Sequence, residues 1–247
     1  MVGEYITLGI LQGIFEWLPI SSEGVVALFS NFLIPELNAI DVAIFLHAGT
    51  LLAVIIYFWK DWLKILSFKD IEFLKFIVVV TLISGAIGFF LYQFSKSIVF
   101  GGGLLLLMGL GLLLTSYFQS RKVSFNVGGK LGAVIVGILQ GFSAIPGVSR
   151  SGSTIFGLSL FEKDPQKILK TSYLLSAPII LASNAYILLK EPAVASSGGW
   201  IALIFAFIFG IISLKFLLSL AQKINFSVFT LIFGILCLLG GAAAMIW

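Results

Sequence analysis

Residues 9–24 read GILQGIFEWLPISSEG and residues 137–152 read GILQGFSAIPGVSRSG, so the pentapeptide GILQG recurs at an offset of 128. At the same offset Ser21 meets Ser149 and Gly24 meets Gly152. Half of the 247 residues is close to that offset, as an internal duplication of the whole chain requires. Leucine and isoleucine matches carry little information in so apolar a chain. The match of Gln12 with Gln140, set between paired glycines, carries more. The copies differ in their charges: the first holds Glu16 and Glu23, the second Arg150.

Over the whole chain the composition is 60% hydrophobic and only 11% charged, with a mean hydropathy of +1.14. These values exclude an ordinary soluble domain and predict an integral membrane protein. Six uncharged windows, 42–59, 76–95, 97–120, 171–189, 192–214 and 224–247, are each long enough to cross a bilayer as helix. Backbone polar groups in lipid must be satisfied within each segment, so the expected fold is all-α. The N-terminus has no positive run, and Glu4, Gln12 and Glu16 fall where a signal peptide would be apolar, so no cleaved signal is expected. Cys237 is the single cysteine, which excludes an intramolecular disulfide. The net charge of +4 is explained by topology and calls for no nucleic-acid partner.

Pro19 interrupts the first duplicated stretch, and Glu16, Ser21, Ser22 and Glu23 sit at its middle. Either the stretch is an interrupted span, or it is a re-entrant hairpin that enters and leaves by one face. With both copies re-entrant, each half has three spans and the second half is inverted. Twelve basic residues then fall on one side, with Lys96 and Lys190 opposite; with both copies spanning, the division is eight to six. The positive-inside rule therefore selects the hairpins. The expected architecture is a single domain, 1–247, of six transmembrane helices plus two re-entrant hairpins in an inverted-topology repeat. Repeat one covers 1–125, with its hairpin at 5–34, and repeat two covers 126–247, with its hairpin at 131–161. Both termini and the opening of the site are expected on the outer face of the cell membrane.

In this arrangement Arg150, Glu16 and Glu23 are the charges left deep in the membrane. Each costs about 2.5 to 3.5 kcal/mol at a helix centre, so a compensating role is expected. Inverted repeats with broken helices meeting at mid-depth build binding sites, and helix N-termini there favour an anion. Arg150 reads either as a structural ion pair or as an anion clamp, flanked by the hydroxyls of Ser149, Ser151, Ser153 and Thr154 in a glycine-rich turn. Residues 147–154 come close to a nucleotide P-loop, but Ser153 stands where its lysine belongs, which argues against nucleotide binding. Glu16 is suited to accept a proton or to bind a hard cation such as Mg²⁺ or Ca²⁺. Ser22 reads equally as a nucleophile or as a helix N-cap. His47, in an apolar run, reads first as an interior histidine and second as an accessory catalytic one.

At these residues the chain resembles the undecaprenyl pyrophosphate phosphatases of the bacitracin-resistance type, over nearly its full length. Their first motif, [E/Q]-G-x-x-E-x-L-P-[IV]-S-S-x-G-H, is matched by residues 12–25 except at the end, where Val25 replaces histidine; their second, P-G-x-S-R-S-G-x-T, is complete at 146–154. The resemblance implies a membrane enzyme that removes one phosphate from a polyprenyl diphosphate and recycles the lipid carrier. It implies Glu16 as metal ligand or base, with Gln12 at the family's first glutamate position, and Mg²⁺ or Ca²⁺ as cofactor. It also implies Ser22 as nucleophile and Ser149, Arg150 and Thr154 as phosphate binders; Ser21 and Ser151, beside them in the two turns, are expected to join the phosphate site. Glu23 or His47 is expected to replace the proton transfer of the absent histidine. The alternative is a transporter or flippase for an anionic lipid, using the same clamp without chemistry. The oligomeric state, monomer or homodimer, stays open.

Overall fold

The computed structural model describes residues 2–19, 21–95, 106, 109–110, 112–113, 117, 129–144, 148–190, 192 and 195–246. Every regular element among them is helical. In chain order these are α1 (Val2–Phe15), α2 (Ser22–Leu33), α3 (Ala39–Tyr57), α4 (Trp59–Leu66), α5 (Ile71–Ser95), α6 (Gly129–Phe142), α7 (Arg150–Ser159), α8 (Pro165–Lys190), α9 (Trp200–Ala221) and α10 (Phe226–Ile246). A turn of π-helix, Ala195–Gly199, leads into α9.

Among the described residues four helices are long and apolar enough to cross a membrane: Ala39–Tyr57, the Ile71–Tyr92 part of α5, Pro165–Lys190 and Trp200–Ala221. They correspond to four of the six expected windows. The window at 192–214 is displaced, because the Ser-Ser-Gly-Gly run at 196–199 forms the π-turn and α9 then runs on past Lys215. The expected span 97–120 lies outside the described residues, apart from six that are helical. Leu82, Phe90, Ile204 and Phe216 are each more than half exposed on these helices, a surface suited to lipid.

The duplicated stretches form two short helix pairs, α1 with α2 and α6 with α7, each packed on itself. Helix α1 has 14 residues and is about 21 Å long at 1.5 Å per residue, short of a hydrocarbon core. Near Pro19, which has no N–H to extend a helix, the chain turns, and Ser21 at φ 66° caps α2 by accepting from the Gly24 N–H. Ser149 caps α7 in the same way, accepting from the Gly152 N–H. The matched serines and glycines at offset 128 are thus one capping device used twice.

The matched GILQG glycines serve close approach. A Cβ on Gly13 would lie 2.7 Å from the Gly210 backbone nitrogen in α9, and one on Gly141 would lie 2.7 Å from Ile87 Cβ in α5. Helix α1 packs on α9 and α6 packs on α5, so the first arm of each copy seats on a helix from the other half of the sequence. Helices α3 and α8 pack against each other between them. The two turns are brought together at the centre, where the Ser151 hydroxyl donates to the Leu18 carbonyl at 2.8 Å.

Candidate active site

Glu16, one residue past α1, is 3% exposed and is the hub of the site. Its Oε2 accepts from Gln12 Nε2 at 2.7 Å, one helical turn back, and from Ser22 Oγ at 2.8 Å, across the Pro19 turn. His47 Nε2, on α3, lies 3.1 Å from the same oxygen. The other oxygen, Oε1, accepts from Arg150 Nη2, which arrives on the first residue of α7. Four polar groups from four segments therefore converge on one carboxylate, three at Oε2 and one at Oε1.

Ser22 is free to face Glu16 because the cap of α2 is Ser21, not Ser22. His47 Nδ1 lies 2.6 Å from the Ala43 carbonyl, one turn earlier in α3. Both ring nitrogens thus face acceptors, so the ring is placed to donate a proton at the Nε2–Oε2 contact as well as from Nδ1. Arg150 Nη1 donates to the Ser172 carbonyl at 3.4 Å, and the guanidinium carbon stands 6.0 Å from the Trp17 ring centroid.

A space of about 20 Å³ lies among Glu16, Ser21, Ser22, Glu23, His47, Ser149, Arg150 and Ser151. It has room for about one water molecule. Beside it a cavity of about 370 Å³ shares Glu23, His47, Ser143 and Arg150 as lining. Its remaining walls are largely apolar and come from α3, α5, α6 and α8, among them Ile44, Gly85, Gly88, Phe89 and Ile180.

Nearly all the expected site residues meet here, with one exception. Thr154 lines neither space: its hydroxyl bonds within α7 to the Arg150 and Ser151 carbonyls and to Ser172 Oγ at 2.5 Å. The Ser149 hydroxyl is shared among the α7 cap, Ser151 and, at 3.3 Å, the Leu18 carbonyl, so it ties the two turns together as well as lining the small space. Pro146 and Gly147 of the second motif lie outside the described residues. Glu23 lines both spaces.

Three residues at the site have no site role in the reading of the sequence: Trp17, Ser172 and Gln140, the last noted only as the repeat partner of Gln12. Trp17 occupies a variable position of the first motif, and its only signal is adjacency to Glu16. Ser172 sits in an apolar helix with no local signal. Gln140, matched to Gln12, is 2% exposed and donates to Ser84 Oγ at 3.0 Å.

Among the described residues no three His, Cys, Asp or Glu side chains are grouped to cage a metal ion. The donors nonetheless fit a hard cation that comes with phosphate oxygens. Glu16 and Glu23 line one small space, and the buried Gln12 carbonyl oxygen next to Glu16 has no hydrogen-bond partner. One or two carboxylates completed by substrate phosphates is the usual Mg²⁺ arrangement.

The same chain matches the family model described as bacitracin resistance protein BacA over residues 5–241. It is 35% identical to an undecaprenyl-diphosphatase of Methanococcoides burtonii, covering 96% of this chain and 97% of that protein. It is 36% identical to one from Halothermothrix orenii over 92% of each chain, and 32% identical to one from Haloarcula marismortui over 96% of each. The buried Glu16 and Arg150, contributed by the two motifs, stand at the centre of a chain that belongs to the bacitracin resistance protein BacA family.

Proposed function

We propose that this protein hydrolyses a polyprenyl diphosphate of the undecaprenyl type to the monophosphate and inorganic phosphate, returning a lipid carrier to use. The observation that carries the reading is Glu16 Oε2 accepting from Ser22 Oγ while Arg150 stands on the other carboxylate oxygen. A proton acceptor, a nucleophile and an oxyanion clamp are therefore adjacent before substrate arrives.

In this mechanism the diphosphate enters the larger cavity with its lipid tail leaving through the apolar walls. Arg150 and the α7 N-terminus hold the terminal phosphoryl oxygens. Ser22 Oγ attacks the terminal phosphorus in line and Glu16 takes its proton; the bond to the bridging oxygen breaks, and the polyprenyl monophosphate leaves. His47 relays that proton to the departing monophosphate, the transfer that the family's histidine would supply at position 25, and leaves Glu16 ionised. A water in the small space then attacks the phosphoserine and gives its proton to Glu16; the bond from phosphorus to Ser22 Oγ breaks, the proton returns to Ser22 Oγ, and inorganic phosphate is released. A divalent cation held by Glu16, Glu23 and Gln12 would supply charge neutralisation to the phosphoryl oxygens.

The membrane arrangement that accompanies this reading has six spans and two re-entrant hairpins in inverted repeats. The site opens at the outer face of the cell membrane, and the basic loops lie on the other side. The crossed seating of α1 on α9 and α6 on α5 supports it, as does the shared capping device.

The test is phosphate release by purified protein from undecaprenyl diphosphate and a farnesyl analogue, with Ser22→Ala and Arg150→Ala beside it. Release lost in both variants is expected. Lipid binding without any release by the unaltered protein overturns the hydrolase reading and leaves a carrier. Full release by Ser22→Ala reassigns the attack to the water in the small space.

A further inference from the structure

We infer that Trp17 is a positioning residue for Arg150: its indole is a fixed platform that keeps the guanidinium aimed into the cavity once substrate draws it off Glu16. The inference rests on the reading of Arg150 as the phosphate clamp. In the resting enzyme Arg150 has two hydrogen-bonded fixings, the Glu16 carboxylate and a long 3.4 Å bond to the Ser172 carbonyl. A diphosphate competes with Glu16 for the same guanidinium edge. What remains is the weak Ser172 bond and the Trp17 face at 6.0 Å.

Trp17 itself cannot move with the arginine. It is 0% exposed, and its Nε1 donates to the Gly210 carbonyl in α9 at 2.8 Å. Its ring lies against Tyr173 at 4.8 Å between centroids. Nearby, Ser213 Oγ lies 2.6 Å from the Gly13 carbonyl of α1 and 3.2 Å from the Gly210 carbonyl that accepts from the indole, so α1 is also stapled to α9 beside the indole. A planar guanidinium lying over an immobile aromatic face keeps its plane while its N–H edge changes partner. An ammonium has no plane to keep.

The experiment measures binding of farnesyl methylenediphosphonate, which cannot be hydrolysed at its bridge, together with kcat and KM on farnesyl diphosphate. The proteins compared are wild type, Trp17→Phe, Trp17→Leu, Arg150→Lys, the Trp17→Leu/Arg150→Lys double variant and Ser213→Ala. Trp17→Leu is expected to weaken binding about tenfold and Trp17→Phe less, the scale of a desolvated cation–aromatic contact. In the Arg150→Lys background, removing the indole is expected to cost less than about twofold, a non-additive cycle. Ser213→Ala, which loosens the α1–α9 staple and leaves the Gly210 carbonyl to the indole, is expected to stay within about twofold of wild type. An equal cost of Trp17→Leu in both backgrounds, or a Ser213→Ala loss as large as that of Trp17→Leu, overturns the inference and leaves Trp17 a packing residue. If Trp17→Leu does not fold, Trp17→Phe with and without Arg150→Lys gives the same cycle. Unchanged binding by Arg150→Lys alone defeats instead the clamp reading on which the inference stands.

Discussion

Glu16 and Arg150 are 134 positions apart in the chain and form a buried ion pair, one from each copy of the duplicated stretch. The side chains are 1% and 12% exposed, so the pair exists where water cannot screen it. In the free protein the carboxylate thus neutralises the cation. In the proposed mechanism substrate binding exchanges a carboxylate for a phosphate on Arg150, and the same exchange frees a Glu16 lone pair for proton transfer.

Glu16→Gln therefore separates binding from turnover. Phosphate release is expected to fall by about 10²- to 10⁴-fold, the loss of a general base. The affinity for farnesyl methylenediphosphonate is expected to equal or exceed that of wild type, because Arg150 is released from its internal partner. A weakening of more than tenfold would show that Glu16 builds the anion site rather than competing with it.

Ser22→Ala removes the hydroxyl that donates to Glu16 and leaves the cap of α2 intact, since that cap is Ser21. The variant should keep its melting temperature in detergent and lose at least about 10³-fold in turnover if the serine is the nucleophile. Rapid quench with labelled diphosphate should trap label on wild type and none on Ser22→Ala. Absence of label on wild type at every time point assigns the attack to water.

His47→Gln keeps a polar group near Glu16 and removes the imidazole. Turnover is expected to drop by about 10- to 10²-fold with KM little changed, a smaller effect than loss of the base itself. Glu23→Gln is the companion variant, because Glu23 lines both spaces. Full turnover by both refutes the replacement of the family's histidine from within this site.

The crossed seating of the first arms is tested by Gly13→Ala and Gly141→Ala. Each added methyl would meet an atom of the facing helix at 2.7 Å. A loss of about 1 to 3 kcal/mol is expected for each, the usual cost of overpacking. Thermal unfolding in detergent measures it. Gly88→Ala, whose nearest contact would be 3.5 Å, is the control expected to be neutral.

Because the described residues offer no cage of three acidic or histidine ligands, a cation should join the site with its substrate. Chelator should suppress turnover, while Mg²⁺ or Ca²⁺ alone should leave the melting temperature of the substrate-free protein unchanged. A cation-induced rise of several degrees without diphosphate would reveal a resident metal site.

The sequence by itself determined much of this. Its apolar windows dictated a membrane helix bundle, because a chain that is 60% hydrophobic cannot cover itself with polar surface. The offset of 128 identified two equivalent turns, and the cost of a charge in lipid singled out Glu16, Glu23 and Arg150. Those readings rest on local chemistry and on period, which a sequence displays directly.

Only the tertiary structure decided which groups touch. Nothing near His47 in the chain distinguishes an interior histidine from one 3.1 Å from a buried carboxylate, since the partner arrives from α1 and the distance is set by helix packing. In the sequence Ser22 reads equally as a nucleophile or as a helix N-cap, and only the structure gives the cap of α2 to Ser21 and turns Ser22 toward Glu16. Thr154, placed by its motif among the phosphate binders, meets Ser172 of α8, a contact that only the packing of α7 and α8 creates. Trp17 and Ser172 bear on Arg150 through contacts 133 and 22 positions apart in the chain. Contacts across that separation follow from how helices seat on one another, and no local pattern of residues encodes them.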